Sequence, residues 1–185
     1  MLCFVFVIMR HVRLHFDKSS FKIIIHATVT SLLDYCNSLL SGLPASSIRD
    51  LQLVQNFAAR LILNRNKFCH ITPLLYELHW LLIESRIKFK VLIFIYKSLH
   101  DLAPTYLADL LTFYVPSRTL RSSSNLDLVV PRYNKNRFGA CAFSVFGPKA
   151  WNDLPYEIKS ASSIDIFIKL LKTHLFSQHF DALVF

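Results

Sequence analysis

The chain has little glycine. Three glycines in 185 residues leave no GxGxxG and no P-loop, which argues against a backbone cradle for phosphate. No GxSxG nucleophile elbow occurs. No Asp-Asp pair occurs either, whereas a nucleic-acid polymerase needs carboxylates that jointly hold two Mg²⁺ ions about 4 Å apart. The four cysteines, Cys3, Cys36, Cys69 and Cys141, form no CxxC. Cys69-His70 with His79 comes nearest to a zinc set, but no second Cys or His stands at ligand spacing. No metal, no cofactor and no small-molecule substrate are therefore expected. The thiols are expected to be reduced and mostly buried in an intracellular protein, cytoplasmic or nuclear. Long apolar runs are missing too. "MLCFVFVIM" ends at Arg10 after nine residues, far short of the roughly 20 that span a bilayer. It lacks a basic n-region and a small-residue cleavage site, so neither a membrane segment nor a signal peptide is expected.

What is present is apolar bulk and positive charge. The composition is 53% hydrophobic and 14% aromatic, enough to offset the ordering entropy that keeps polar chains disordered. The length suits one domain with a large core. The apolar content is high for a soluble domain and suggests a face that a missing partner covers. Net charge is +9 and unevenly placed. Residues 118–149 carry six basic side chains, Arg118, Arg121, Arg132, Lys135, Arg137 and Lys149, against the single acid Asp127. Residues 150–185 carry slightly more acid than base. A short basic segment with Tyr133, Phe138 and Phe143 among the charges suits RNA or DNA. Four of the six are arginine, the better bidentate phosphate ligand. The plainer alternative is a solvated surface.

Helical periodicity dominates the first half. Phe21, Ile25, Val29, Leu32, Cys36 and Leu39 fall at helical spacing, with Asp17, Ser19 or Ser20 as N-cap and Gly42 as stop. Leu51, Val54, Ala58, Leu61 and Ile62 make a second stripe, capped by Ser46 or Ser47. Thr72-Pro73 opens a short helix. Ile83, Ile87, Val91, Phe94, Ile95 and Leu99 mark the longest one, and Pro104 opens a short one to Leu111. After Pro116, "LDLVVPR" reads as a short strand and "AFSVFGPKAWNDLP" as strand or helical turns. A final helix has Ser163 as N-cap and Ile164, Phe167, Ile168, Leu171 and Leu175 as its stripe. The expected fold is mainly α, a compact multi-helix domain with a small β element near residues 126–150. Residues 1–16 read as a poorly matched apolar segment, 17–177 as the domain and 178–185 as a tail.

Asp34, Tyr35, Cys36 and Asn37 bring an acid, a phenol, a thiol and an amide together in sequence. On a helix, successive side chains turn by about 100°, so the four cannot converge on one substrate. They are read as structural, with Cys36 on the apolar stripe and Tyr35 packed beside it. Trp80 beside His79 reads as a packed, hydrogen-bonded pair. Trp151, between Pro148 and Pro155, reads as a core anchor, with base stacking as its alternative.

"LLDYCNSLLSGLP", "LQLVQNFAARLI", "HITPLLYELHWL", "RIKFKVLIFIYKSLHDLAPTYLADLL", "VPSRTLRSS", "VVPR" and "FSVFGPKAWNDLP" occur in that order. Together they resemble the carboxy-terminal, post-polymerase region of the reverse transcriptase of LINE-type (non-LTR) retrotransposons, of the jockey-like superfamily, over about residues 10–177. The resemblance implies an endonuclease and a paired-Asp polymerase upstream, neither of them in these residues. No catalytic residue can be carried over. It implies instead a non-catalytic segment of an RNA-directed DNA polymerase that helps hold RNA and target DNA during target-primed reverse transcription. The chain departs from the pattern at Leu82, where the family has Pro, at Asp101, where it has Gly, and at Leu32, where it commonly has Arg. Two other readings stay open: a protein-interaction scaffold that docks on the missing polymerase domain, and a decayed transposable-element remnant without function.

Overall fold

The computed structural model describes residues 8–116, 125–133 and 139–180. Mainly helical structure is what it shows, with no sheet among the described residues. The chain divides into two compact units that interleave in sequence: residues 1–35 with 45–83, and residues 36–44 with 84–185.

The first unit begins with Met9, which is buried and lies under the Thr28 hydroxyl. Asp17, extended, accepts from the backbone N–H of Ser19 and Ser20 at 2.9 and 3.2 Å and so caps α1, Lys18–Ile25. The helical path continues through a π turn, His26–Thr30, into α2, Ser31–Asp34. Phe21, Ile25, Val29 and Leu33 are its buried stripe. Steps of four residues over-rotate a 3.6-residue helix by about 40° each, and the wider π turn takes up that drift. Two hydroxyls lie along this turn, with Thr28 donating to the Ile24 carbonyl at 2.7 Å and Ser31 to that of Ala27 at 2.6 Å.

α3, Ala45–Leu63, buries Ala58, Ala59, Leu61 and Ile62 and packs against α1. It also buries Gln55, whose amide donates to the Leu81 carbonyl at 2.8 Å. Gln52, one turn earlier, accepts from the Ile83 N–H at 2.9 Å. α3 thereby supplies backbone partners to the non-helical residues 80–82 and to the first residue of the helix that follows them. α4, Thr72–Glu77, starts with Pro73 in its first turn. It ends at His79, in the left-handed region at φ 53°, and the Trp80 N–H closes back on the Leu75 carbonyl at 2.9 Å.

The second unit centres on α5, Ile83–Leu99, which buries Ile87, Val91, Leu92, Ile95 and Tyr96. α6 is a single turn, Thr105–Ala108, after Pro104. α7, Phe143–Asn152, is followed by the short α8, Tyr156–Lys159, and by α9, Ile164–Phe180. Ser163 caps α9, its hydroxyl accepting from the Ile166 N–H at 3.3 Å. Tyr96, Phe167 and Trp151 stack in sequence at 4.3 and 5.9 Å. The Tyr96 hydroxyl donates to the Ala161 carbonyl at 2.8 Å, and burial pushes its pKa up. Gly42 lies in this unit at φ 72°, where a Cβ would stand 2.9 Å from the Cα of Cys141.

Three expectations need correction. The first helix does not run on to Leu39. It stops at Asp34; Tyr35 is extended, Cys36 is left-handed at φ 51°, and a 3-10 turn, Asn37–Leu40, follows. Cys36 and Leu39 are consequently exposed, because the break rotates both off the stripe, and Leu32 is exposed before it, with Leu33 buried in its place. Second, among the described residues the β element shrinks to one antiparallel bridge, Phe113 with Leu128, and the ambiguous stretch before Pro155 is the helix α7. Third, the described thiols are not mostly buried: Cys36 is exposed and Cys69 and Cys141 are half-buried.

Candidate nucleic-acid interface

The basic segment is fastened at its base by three side chains from α7 and α8. Leu126 sits in the left-handed region at φ 54°, and its carbonyl accepts from the Trp151 indole N–H at 2.9 Å. Leu128 is 2% exposed. Its N–H donates to Asn152 Oδ1 at 2.8 Å and its carbonyl accepts from Asn152 Nδ2 at 2.9 Å. A side-chain amide thus replaces a neighbouring strand on this edge. Between them, Asp127 meets the ammonium of Lys159 at 2.8 Å, which also donates to the Asn152 carbonyl at 3.1 Å. On the other edge, Tyr114 N–H reaches the Asp127 carbonyl and Val129 N–H the Thr112 carbonyl, both at 2.8 Å. Side chains on one edge and backbone on the other therefore clasp three consecutive residues.

Lys159 is only 4% exposed. A buried ammonium is costly unless paired and hydrogen-bonded; Asp127 supplies the opposite charge and the Asn152 carbonyl a second acceptor. The pairing has an electrostatic consequence. Asp127 is the single acid of residues 118–149, and its charge is balanced by a lysine from outside that segment.

Of the six candidate contacts, Arg132 and Lys149 are exposed. The Lys149 ammonium donates to the Tyr133 hydroxyl at 2.9 Å and lies 4.5 Å from the centre of that ring. Tyr133 also lies against Gly139, where a Cβ would come within 3.2 Å of it. Arg118, Arg121, Lys135 and Arg137 lie outside the described residues. In sequence they fall between pairs that the fold brings together: Phe113 and Leu128 for the first two, Tyr133 and Gly139 for the second two.

The structural assignments divide. Trp151 is 1% exposed and its indole N–H is engaged, so it is a core anchor whose buried ring has no free face for base stacking. Trp80 is buried in the first unit, but the ring edge-on to it, at 5.4 Å, is that of His26; His79 is exposed. Asp34 is half-buried, Tyr35 exposed, and Asn37 buried in the second unit. The four residues 34–37 are not on one helix, because the chain leaves the helical path at Tyr35. Among the described residues no group of three His, Cys, Asp or Glu could hold a metal ion.

Sequence reasoning missed Asn152 and Lys159. Asn152 precedes Asp153, an exposed residue, and nothing local marks one as a strap and the other as solvated. Lys159 carries a weak signal, since it follows the buried Ile158 in a four-residue helix. Beside the clasp, within the second unit, is an open cavity of about 370 Å³ whose wall includes Phe113, Leu126, Trp151 and Lys159. No family model, curated protein or solved structure matches the chain.

Proposed function

We propose that the chain is a non-catalytic, nucleic-acid-binding segment of a LINE-type retrotransposon reverse transcriptase. The single observation that carries the binding part is the pairing of Asp127 with Lys159. The single acid of residues 118–149 is matched by a lysine from outside that segment, which favours a segment that keeps its positive charge for a polyanion. The order of the sequence motifs supports the retrotransposon part. The absence of an Asp-Asp pair supports an accessory role beside a polymerase domain carried elsewhere.

The test is binding of the purified chain to a single-stranded RNA of about 20 nucleotides by fluorescence anisotropy, between about 50 and 200 mM KCl. Affinity is expected to fall steeply with salt as phosphate binding releases counterions. Arg118, Arg121, Arg132 and Arg137 replaced together by Gln should weaken binding to all sequences alike, since phosphate contacts carry no sequence information. The log–log salt slope should flatten by about 0.7 for each phosphate that is no longer neutralised. A folded quadruple variant that binds as tightly as the parent at the same salt refutes the reading.

A second reading is a docking scaffold for the polymerase domain. The observation favouring it is the exposed apolar series Ile23, Leu32 and Tyr35 along α1, α2 and the residue after them, at 69%, 71% and 78% exposure. Measurable RNA binding separates the two.

A further inference from the structure

The cavity in the second unit has features that phosphate binding does not require. Its 370 Å³ falls within the range of small-molecule sites, roughly 300–1,000 Å³. The wall is largely apolar, with Trp151 buried in it and Phe113 about half exposed. Its polar residues are Ser160, Ser162, His100 and Lys159. The Lys159 ammonium is already matched by Asp127 at 2.8 Å. An anionic occupant finds no uncommitted lysine there. A neutral ring with a hydrogen-bonding edge fits both the wall and the polar groups.

The wall also adjoins the basic segment. Phe113 and Leu126 stand on it, and the residues between them include Arg118 and Arg121 and no acid. Arg118 follows Phe113 by five residues, at most about 18 Å along the chain, so a polyanion held there is within reach of the cavity.

We propose that the cavity takes one unpaired nucleobase of a bound single strand, against the Phe113 ring, with its polar edge toward Ser160 and Ser162. The base site rests on the nucleic-acid reading of the basic segment and adds base contact to it. Such a site favours single strands over duplexes, whose bases are stacked and paired.

The test uses the full chain and two labelled strands of equal length and charge, oligouridine RNA and an abasic analogue, at one salt concentration. One base–aromatic stack is worth about 1–3 kcal/mol, so the abasic strand should bind about 5- to 150-fold more weakly. Phe113→Ala should erase most of that difference while leaving abasic binding unchanged. Ser162→Trp, on the cavity wall, should fill the mouth and do the same without touching the bridge. In a Trp80→Phe background Trp151 is the remaining indole, and its emission should respond to the base-bearing strand only. Equal binding of both strands, with Phe113→Ala and Ser162→Trp silent, overturns the base site and leaves phosphate binding standing. No binding of either strand overturns both readings.

Discussion

Asn152→Ala should loosen the basic segment from the second unit. The amide makes two hydrogen bonds to one residue, Leu128, at 2.8 and 2.9 Å. Each is worth about 1 kcal/mol net, and stranding a buried donor or acceptor costs about 1–3 kcal/mol. Leu128 is 2% exposed, so water does not replace the missing partner without opening the site. Relief by such opening brings the total below the sum, to roughly 2–4 kcal/mol. For a chain of this size about 2–4 °C accompanies each kcal/mol, so the melting midpoint should fall by roughly 5–15 °C. Urea denaturation should show a lower midpoint at unchanged slope. Amide exchange at Leu128 should quicken more than at α9, because the loss is local. Asp153→Ala is the control; its side chain is exposed and the change should stay within about 0.5 kcal/mol. An Asn152→Ala protein as stable as that control, with the Leu128 amide still protected, refutes the clasp.

Gly42→Ala should cost more than about 2 kcal/mol, because the left-handed φ of 72° alone costs an L-residue about 1–2 kcal/mol and the new Cβ meets the Cys141 backbone at 2.9 Å; unchanged urea stability argues against that approach. Cys36→Ser should be nearly neutral, within about 0.5 kcal/mol, since the thiol is exposed, and the folded protein should react rapidly with a thiol reagent at that position. Cys36→Gly, freed of the strain at φ 51°, should gain up to about 1 kcal/mol once the glycine entropy is subtracted. Hydrogen bonds from Ser19, and next from Ser20, hold the Asp17 carboxyl far below the usual carboxylate range. Its folded pKa being depressed, its contribution is full above the unfolded value of about 3.9 and fades as pH falls below it; the melting midpoint of the parent should therefore drop more between about pH 5 and 2 than that of Asp17→Asn, and parallel curves count against the cap.

The helices were legible wherever burial is one-sided and local. Ile83, Ile87, Val91 and Ile95 keep helical spacing and are all buried, as are Phe167, Leu171 and Leu175. The break at Tyr35 was not legible. The apolar residues Leu39 and Leu40 continue the periodic pattern beyond it, and no glycine or proline stands at residues 35–41 to signal a stop. The left-handed residue is a cysteine, a type that rarely adopts that region. Gln55 was missed for the complementary reason. It is polar, yet it is buried because the Leu81 carbonyl needs a donor, and that need arises 26 residues away. Local pattern reports which faces are apolar; it does not report which backbone groups elsewhere lack a partner.

The same limit explains how two short stretches exchanged roles. Asp34, Tyr35, Cys36 and Asn37 carry four polar or reactive side-chain types, and the fold gives them different surroundings: Tyr35 and Cys36 face solvent while Asn37 is buried. "AWNDLP" carries one acid and no nucleophile, yet Trp151 and Asn152 hold Leu126 and Leu128, and Lys159 balances Asp127. The difference lies in what each stretch faces. Among the described residues, 126–128 form a single isolated bridge, to Phe113, so their remaining backbone groups are met by side chains or stay exposed. Trp, Asn and Lys are long enough to reach them, and each brings a donor to a carbonyl or carboxylate oxygen. The clasp thereby fixes the conformation at the base of the basic segment and matches its single acid with one ammonium, while the positive sign of the segment comes from its six basic residues.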